Sequence, residues 1–213
     1  LVFAFHGHGG KGTGMERRPH IEGLWPDAIV LYPDGLVGHK GETDPEGVRT
    51  GWQTRLGEDG DRDLAFYDTM LAALRSQLSV DSDRVYLMGH SNGSAFASLL
   101  LNQRGDAIAA TANMSAQPSA RLLAGDPARS MFMAMGTGDA VVPYDTQKRS
   151  IPLAEQKLGV DPNRATVTGY LRAELGRGGL ELQTYIYPGG HAPPPEVPKL
   201  VVDFFQRHTL SGG

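Results

Sequence analysis

An unbroken apolar run, Leu1 to Phe5, opens the chain, and a second, Ala28 to Tyr32, follows it; loops rich in Gly or Pro (His6 to Gly14, and Pro33-Asp34-Gly35) end both. Continuous apolar runs of this length are the pattern of strands covered on both faces. From Asp63 the period lengthens: Leu64, Tyr67, Leu71, Leu74 and Leu78 recur at helical spacing behind acidic residues that suit a helix start. Arg84 to Met88 reads as a third strand, and after Gly89-His90-Ser91-Asn92-Gly93 a helix is predicted with Ala95, Phe96, Leu99 and Leu100 on one face. Further strands are predicted at Ala107 to Asn113, Ser130 to Met135 and Leu180 to Tyr187, with helices near Gln147 to Leu158 and Glu196 to His208. Strands alternating with helices imply an α/β fold in which a mostly parallel central sheet carries helices on both faces. One domain spanning 1–213 is expected. Because Leu1 already reads as part of a buried strand, an earlier strand or a leader is expected to have preceded it.

The composition narrows the chemistry. The chain has no cysteine, which excludes a disulfide framework, a thiol nucleophile and a cysteine-ligated metal. Its 24 acidic against 20 basic side chains, with no run of like charge, argue against nucleic acid or an anionic membrane surface as partner. No apolar stretch approaches the roughly 18 residues that span a bilayer.

In a sheet of this kind, active residues sit on loops at the carboxyl ends of strands. Gly89-x-Ser91-x-Gly93 lies between a strand and a helix, where a nucleophile elbow needs small residues on either side of a sharp turn that exposes a hydroxyl. A serine needs a base, and the base an orienting group. In the α/β-hydrolase order these follow as an acid and then a histidine: Asp139, after the strand ending at Met135, and His191, after the strand ending at Tyr187. As a bland alternative Asp139 closes a turn and His191 is a solvated loop histidine. His208 sits in the last turn of a helix, where the dipole explains a cation. Donors for an oxyanion are expected from the backbone N–H of Asn92 and, on the glycine-rich loop, of His8. Asn92 is read as acting by its backbone alone, so that Asn92→Ala is expected to be mild, and the His90 ring is expected to point away from the site.

The same loop supports a rival. Gly7-x-Gly9-x-x-Gly12 followed by Asp34 matches a dinucleotide-binding pattern, although Gly12, Gly14 and Pro19 fall where its phosphate-binding helix should begin. Lys11 followed by Gly12 excludes a phosphate loop of the Gly-Lys-Ser/Thr type, and His6-x-His8 lacks the companions of a metallohydrolase string, so no metal and no cofactor are expected.

Taken together, His6-Gly7-x-Gly9-Gly10, Tyr32-Pro33-Asp34-Gly35, Asp61-x-Asp63-Leu64-Ala65-Phe66, Gly89-x-Ser91-Asn92-Gly93, Gly136-Thr137-x-Asp139-x-Val141-Val142-Pro143-Tyr144 and Gly189-Gly190-His191 resemble the esterase family of polyhydroxybutyrate depolymerases, feruloyl esterases and acetylxylan esterases. The resemblance runs from the first strand to the last helix. It implies an α/β-hydrolase fold, a Ser91–Asp139–His191 triad, an oxyanion hole at His8 and Asn92, and feruloyl, acetyl or hydroxyalkanoate esters, small or polymeric, as substrate. It further implies a secreted or periplasmic setting, and matches Trp52 to an aromatic of the substrate pocket, against the plainer reading of a partly buried structural Trp. The chain departs from the family at His8, Ser94 and Met135, where members often carry Cys, Gly and His, and after His191, where Ala192 leads into Pro193-Pro194-Pro195. A dinucleotide-binding protein and a hydrolase-fold binding module without catalysis remain the competing classes.

Overall fold

The four residues of the first strand, β1 (Val2–Phe5), are all buried and face alternately to the two sides of a sheet. Phe3 and Phe5 join Trp52, Leu64, Tyr67, Leu71 and Phe96 in one apolar cluster, while Val2 and Ala4 join Met15, Ile21, Val201, Phe204 and Phe205 in a second. Burying an aromatic or aliphatic side chain of this size contributes about 1.5–3 kcal/mol. The two clusters, one on each face, supply the main driving force for closing the sheet between helices.

The computed structural model describes residues 1–17, 19–40, 44–116, 125 and 127–211. Among these, α1 (Gly12–Arg17) and α2 (Ile21–Leu24) follow β1. Then come β2 (Val30–Leu31), α3 (Arg62–Gln77), β3 (Tyr86–His90), α4 (Asn92–Arg104), β4 (Ala110–Met114), β5 (Ser130–Gly136), α5 (Tyr144–Gln147), α6 (Ser150–Leu158), β6 (Thr166–Thr168), β7 (Leu171–Leu175), β8 (Glu181–Tyr187) and α7 (Val197–Gln206). The eight strands form one sheet in the order β2-β1-β3-β4-β5-β8-β7-β6. Pairing is parallel from β2 through β8. The last two strands turn back antiparallel as a hairpin. Helices α3, α4 and α6 contribute to the first cluster, and α1, α2 and α7 to the second.

The sheet agrees with the predicted parallel order but adds β6 and β7, which the apolar pattern missed. At this sheet edge Thr166, Val167 and Thr168 are all exposed, so no buried face imposes a period, and Gly169 turns the hairpin at φ 60°. A second correction concerns α1. Gly12 and Gly14 were expected to interrupt a helix there, yet one forms because its first residue packs directly on the second strand's end: a Cβ at Gly12 would lie 1.9 Å from the Tyr32 carbonyl oxygen. Tertiary packing here outweighs helix propensity. The expected helix at Gln147 to Leu158 is two pieces, with Gln147 closing the first.

Candidate active site

The sequence Gly-x-Ser-x-Gly folds into a turn that only glycines permit at its outer positions. A Cβ at Gly89 would lie 2.3 Å from the Gly93 carbonyl, and one at Gly93 would lie 2.3 Å from the Phe5 carbonyl oxygen, so α4 starts in direct backbone contact with two strands. Between them Ser91 has φ 54° and ψ −120°, outside the regions a side chain favours. Such a conformation costs of order 1–3 kcal/mol and persists where neighbours over-determine it. They do: Ser91 N donates to the Met114 carbonyl at 2.8 Å, and the buried Ser94 hydroxyl donates to the Gly89 carbonyl at 2.5 Å while accepting from Met114 N at 2.9 Å. Ser94, a departure from the usual glycine, thus ties β3 to β4.

Asp139 and His191 arrive on loops after the adjacent strands β5 and β8. Main-chain bonds lace these loops together, Thr137 N to Tyr187 O at 2.9 Å and Gly138 N to Gly189 O at 2.8 Å. The approach is close enough that a Cβ at Gly136 would sit 2.4 Å from the carbonyl oxygens of Gly189 and Gly190. His191 Nδ1 donates to Asp139 Oδ2 at 2.8 Å. Asp139 Oδ1 accepts from Val141 N at 2.8 Å and Val142 N at 2.9 Å. Burial alone would raise the Asp139 carboxyl, but the bond from His191 and the two backbone N–H groups outweigh it and hold the carboxyl below its ordinary value. A fourth donor, which no pattern in the sequence announced, is fully buried Gln147: its Nε2 reaches Asp139 Oδ2 at 2.8 Å and the Val142 carbonyl at 2.6 Å.

Ser91 and His191 line one cavity of about 780 Å³, walled by Met15, Met114, Val141 and the run Pro193-Pro194-Pro195. Among the described residues the Ser91 hydroxyl has no hydrogen-bond partner. The backbone N–H groups of His8 and Asn92 likewise make no internal hydrogen bond. The glycine loop runs against the elbow, since a Cβ at Gly7 would be 3.2 Å from Ser91 Cβ. His6 anchors that loop in its neutral form: Nδ1 donates to the Gly7 carbonyl at 2.8 Å and Nε2 accepts from Gly35 N at 2.9 Å. Burial lowers its pKa, against the Gly7 bond and Asp34, which raise it. The His8 side chain pairs with Asp44 at 3.1 Å.

Three expectations change. Trp52 does not contact the cavity: it is fully buried, stacks on Phe96 with ring centroids 5.2 Å apart, and donates Nε1 to the His6 carbonyl at 3.0 Å. It supports the glycine loop from behind. The His90 ring does not point away; it lines the cavity 4.7 Å from the His191 ring and donates Nε2 to the His191 carbonyl at 2.8 Å. The Asn92 side chain is not idle either, since Oδ1 accepts from Trp52 N at 2.8 Å and Nδ2 donates to Trp52 O at 2.9 Å.

The dinucleotide pattern has a structural use. Asp34 Oδ1 accepts from Gly12 N at 2.5 Å, so the carboxylate that would meet a ribose instead ties the start of α1 to the end of β2. Among the described residues no group of three or more His, Cys, Asp or Glu side chains is arranged to hold a metal ion. No helix among them is long and apolar enough to cross a membrane.

Comparison with known proteins adds a common thread. No family model matches the chain. It is 27% identical over 176 residues, 79% of its length, to a Nocardia uniformis subsp. tsuyamanensis protein named "Putative esterase NocK", and 26% identical over 98 residues, 46% of its length, to feruloyl esterase D of Neurospora crassa. The matches span 48% and 32% of those two proteins. The structure of the acetyl xylan esterase from Aspergillus awamori superposes with a TM-score of 0.71 over 96% of this chain and 88% of that one, at 15% identity. The parallel sheet, the strained elbow after β3 and this likeness to a solved structure show that the chain has the α/β-hydrolase fold, and its sequence is similar to proteins named as esterases.

Proposed function

We propose that the chain is a serine carboxylic-ester hydrolase working through an acyl-enzyme. The observation that carries this reading is the 2.8 Å bond from His191 Nδ1, whose residue lines the same cavity as Ser91, to a buried, multiply bonded Asp139 behind it. With Nδ1–H committed to Asp139, the Nε2 lone pair is the proton acceptor. As a substrate carbonyl settles over Ser91, the hydroxyl attacks it and His191 Nε2 takes the proton. Asp139 keeps the tautomer and stabilises the imidazolium. The negative charge that develops on the carbonyl oxygen is received by the free N–H groups of His8 and Asn92. His191 then protonates the leaving alcohol, and water repeats the sequence on the acyl group. The relatives' names and the family resemblance extend the reading to feruloyl, acetyl or hydroxyalkanoate esters of small molecules, polysaccharides or polyesters.

The test is labelling by a fluorophosphonate, which is expected to modify Ser91 stoichiometrically, together with Ser91→Ala, which is expected to lose about 10⁴-fold or more in turnover of a short p-nitrophenyl ester. Wild-type rates in that variant refute the assignment. Absence of labelling with saturable NAD binding indicates the dinucleotide reading, and absence of both indicates a binding module without catalysis. A panel of feruloyl, acetyl and hydroxybutyrate esters ranks the substrates.

A further inference from the structure

We infer that His90 is a positioning residue: from the end of β3, one step before Ser91, its ring holds the peptide carbonyl of His191 and thereby sets where the proposed base stands over the proposed nucleophile. This rests on the esterase reading above.

The three residues of that reading meet at two joints, and the fold secures them differently. Asp139 and His191 follow β5 and β8, which pair directly from Met131–Leu182 to Gly136–Tyr187. Main-chain bonds continue that pairing past the strand ends, from Thr137 to Tyr187 and from Gly138 to Gly189. Ser91 instead follows β3. The sheet order inserts β4 and β5 between β3 and β8, so three strand spacings, roughly 14 Å, separate the two chains where they leave the sheet. Among the described residues no main-chain bond joins the elbow, 89–93, to the loop 188–195. The hydrogen bond that crosses this gap runs from His90 Nε2 to the His191 carbonyl, at 2.8 Å. A carbonyl only accepts, so Nε2 carries the proton.

The surroundings suit a spacer. The two imidazoles lie with centroids 4.7 Å apart and planes at 59°, yet the bond takes the main chain of His191 and leaves its ring nitrogens alone. On its other side His90 packs against the glycine loop, since a Cβ at Gly7 would be 3.1 Å from His90 Nδ1. Gly189 and Gly190 precede His191, and a Cβ at Gly190 would meet nothing within 4 Å, so the loop is not wedged in place from there. Tyr187 does hold the Gly190 carbonyl at 3.1 Å, but from β8 itself. Asp139 thus fixes the rotation of the His191 ring, and His90 fixes the main chain from which that ring hangs.

A misplacement of about 1 Å between reacting groups can cost about a hundredfold in rate. His90→Phe keeps an aromatic ring and deletes the donor, whereas His90→Gln deletes the ring and carries an amide N–H at the same number of bonds from Cα. With a short p-nitrophenyl ester and the whole protein, kcat is expected to fall about 10- to 100-fold in His90→Phe, with KM within about threefold of wild type. The rate of Ser91 labelling by fluorophosphonate is expected to fall in parallel. The low-field proton resonance of the Asp139–His191 bond is expected to persist in that variant, because its joint is stitched independently. His90→Gln is expected to recover kcat to within about fivefold of wild type. Three results each overturn the proposal: kcat within about threefold of wild type in His90→Phe, a Gln variant as slow as the Phe variant, or loss of the low-field resonance in His90→Phe, which marks a general loosening of the loop. Should His90→Phe not fold, the Gln variant and nitrogen NMR of wild-type protein with isotopically labelled histidine decide. A protonated His90 Nε2 with a Gln variant near wild type upholds the proposal, and an unprotonated Nε2 or a slow Gln variant overturns it. If wild-type Ser91 is labelled and esters are cleaved while His90→Phe is equally fast, only this inference fails. If Ser91 is unlabelled and no ester is cleaved, the esterase reading fails and takes this one with it.

Discussion

For Asn92→Ala the structure keeps the mild effect on turnover expected from sequence and adds a cost in stability that the sequence did not announce. The amide makes a two-point bond to the main chain of Trp52, at 2.8 and 2.9 Å, and Trp52 is fully buried. Truncation removes both bonds and leaves a buried N–H and a buried carbonyl without their partner. Each such loss costs about 1–3 kcal/mol, so about 2–6 kcal/mol of stability is expected to disappear. The N–H of residue 92, by contrast, survives the change. The folded variant is therefore expected to keep kcat within about tenfold of wild type, because the proposed oxyanion donor remains and only its backing loosens. Urea denaturation followed by tryptophan fluorescence gives the first quantity, and ester turnover per labelled serine gives the second. A loss of stability below about 0.5 kcal/mol refutes the accounting of buried bonds, since that is the range of surface changes that disturb nothing. A thousandfold fall in kcat with full folding refutes the assignment of the catalytic donor to the main chain.

Gln147→Leu removes one of the two donors on Asp139 Oδ2 while filling similar space; kcat is expected to fall about tenfold, far short of the loss from Asp139→Asn, and equal losses in the two variants contradict a supporting role. Gly93→Ala forces a Cβ to 2.3 Å from the Phe5 carbonyl oxygen, and expression as unfolded protein, or a fall in Tm of several degrees, is expected; an unchanged Tm shows that the elbow can shift. Acid is expected to act through His6 and then Asp139. Both have pKa values lowered by folding, so each contributes stability that is complete above its unfolded value, about 6.5 for His and 3.9 for Asp, and that is lost as pH falls through the lower folded value. Denaturant midpoints of wild type and His6→Gln are thus expected to converge between pH 7.5 and 5, and a gap that widens on acidification contradicts the neutral assignment.

The parallel sheet was legible because β1, β3 and β5 are covered on both faces, and a doubly buried strand writes itself as a largely apolar run. The hairpin β6–β7 was not, since Val167 at 61% exposure and Leu175 at 75% feel no core that would enforce alternation. The elbow, Asp139 and His191 were legible as candidates because glycines and strand ends mark where backbone must approach closely. What escaped were partnerships between distant residues. Nothing in the residues around Asn92 announces a bond to Trp52, 40 positions away. Gln147, eight residues beyond Asp139, reads as an ordinary polar position in a short helix until the loop folds it inward. Likeness alone offered the indole of Trp52 a place in the pocket, against the plainer reading of a structural Trp, and the tight aromatic cluster beside Phe5 and Phe96 favours the plainer one.

The stitching of the two loops after β5 and β8 has an evolutionary corollary. Thr137 and Gly138 hold Tyr187 and Gly189 by main-chain bonds, with one added from the Thr137 hydroxyl to the Tyr187 carbonyl at 3.4 Å, so the placing of Asp139 beside His191 owes little to the side chains at 141 and 192–195. Val141 and residues 192–195 line the cavity, and they can be rewritten by mutation with the underlying pair left in register. Selection can accordingly alter what the cavity admits while the proposed proton-transfer pair is inherited intact, a separation that lets one scaffold diversify cheaply.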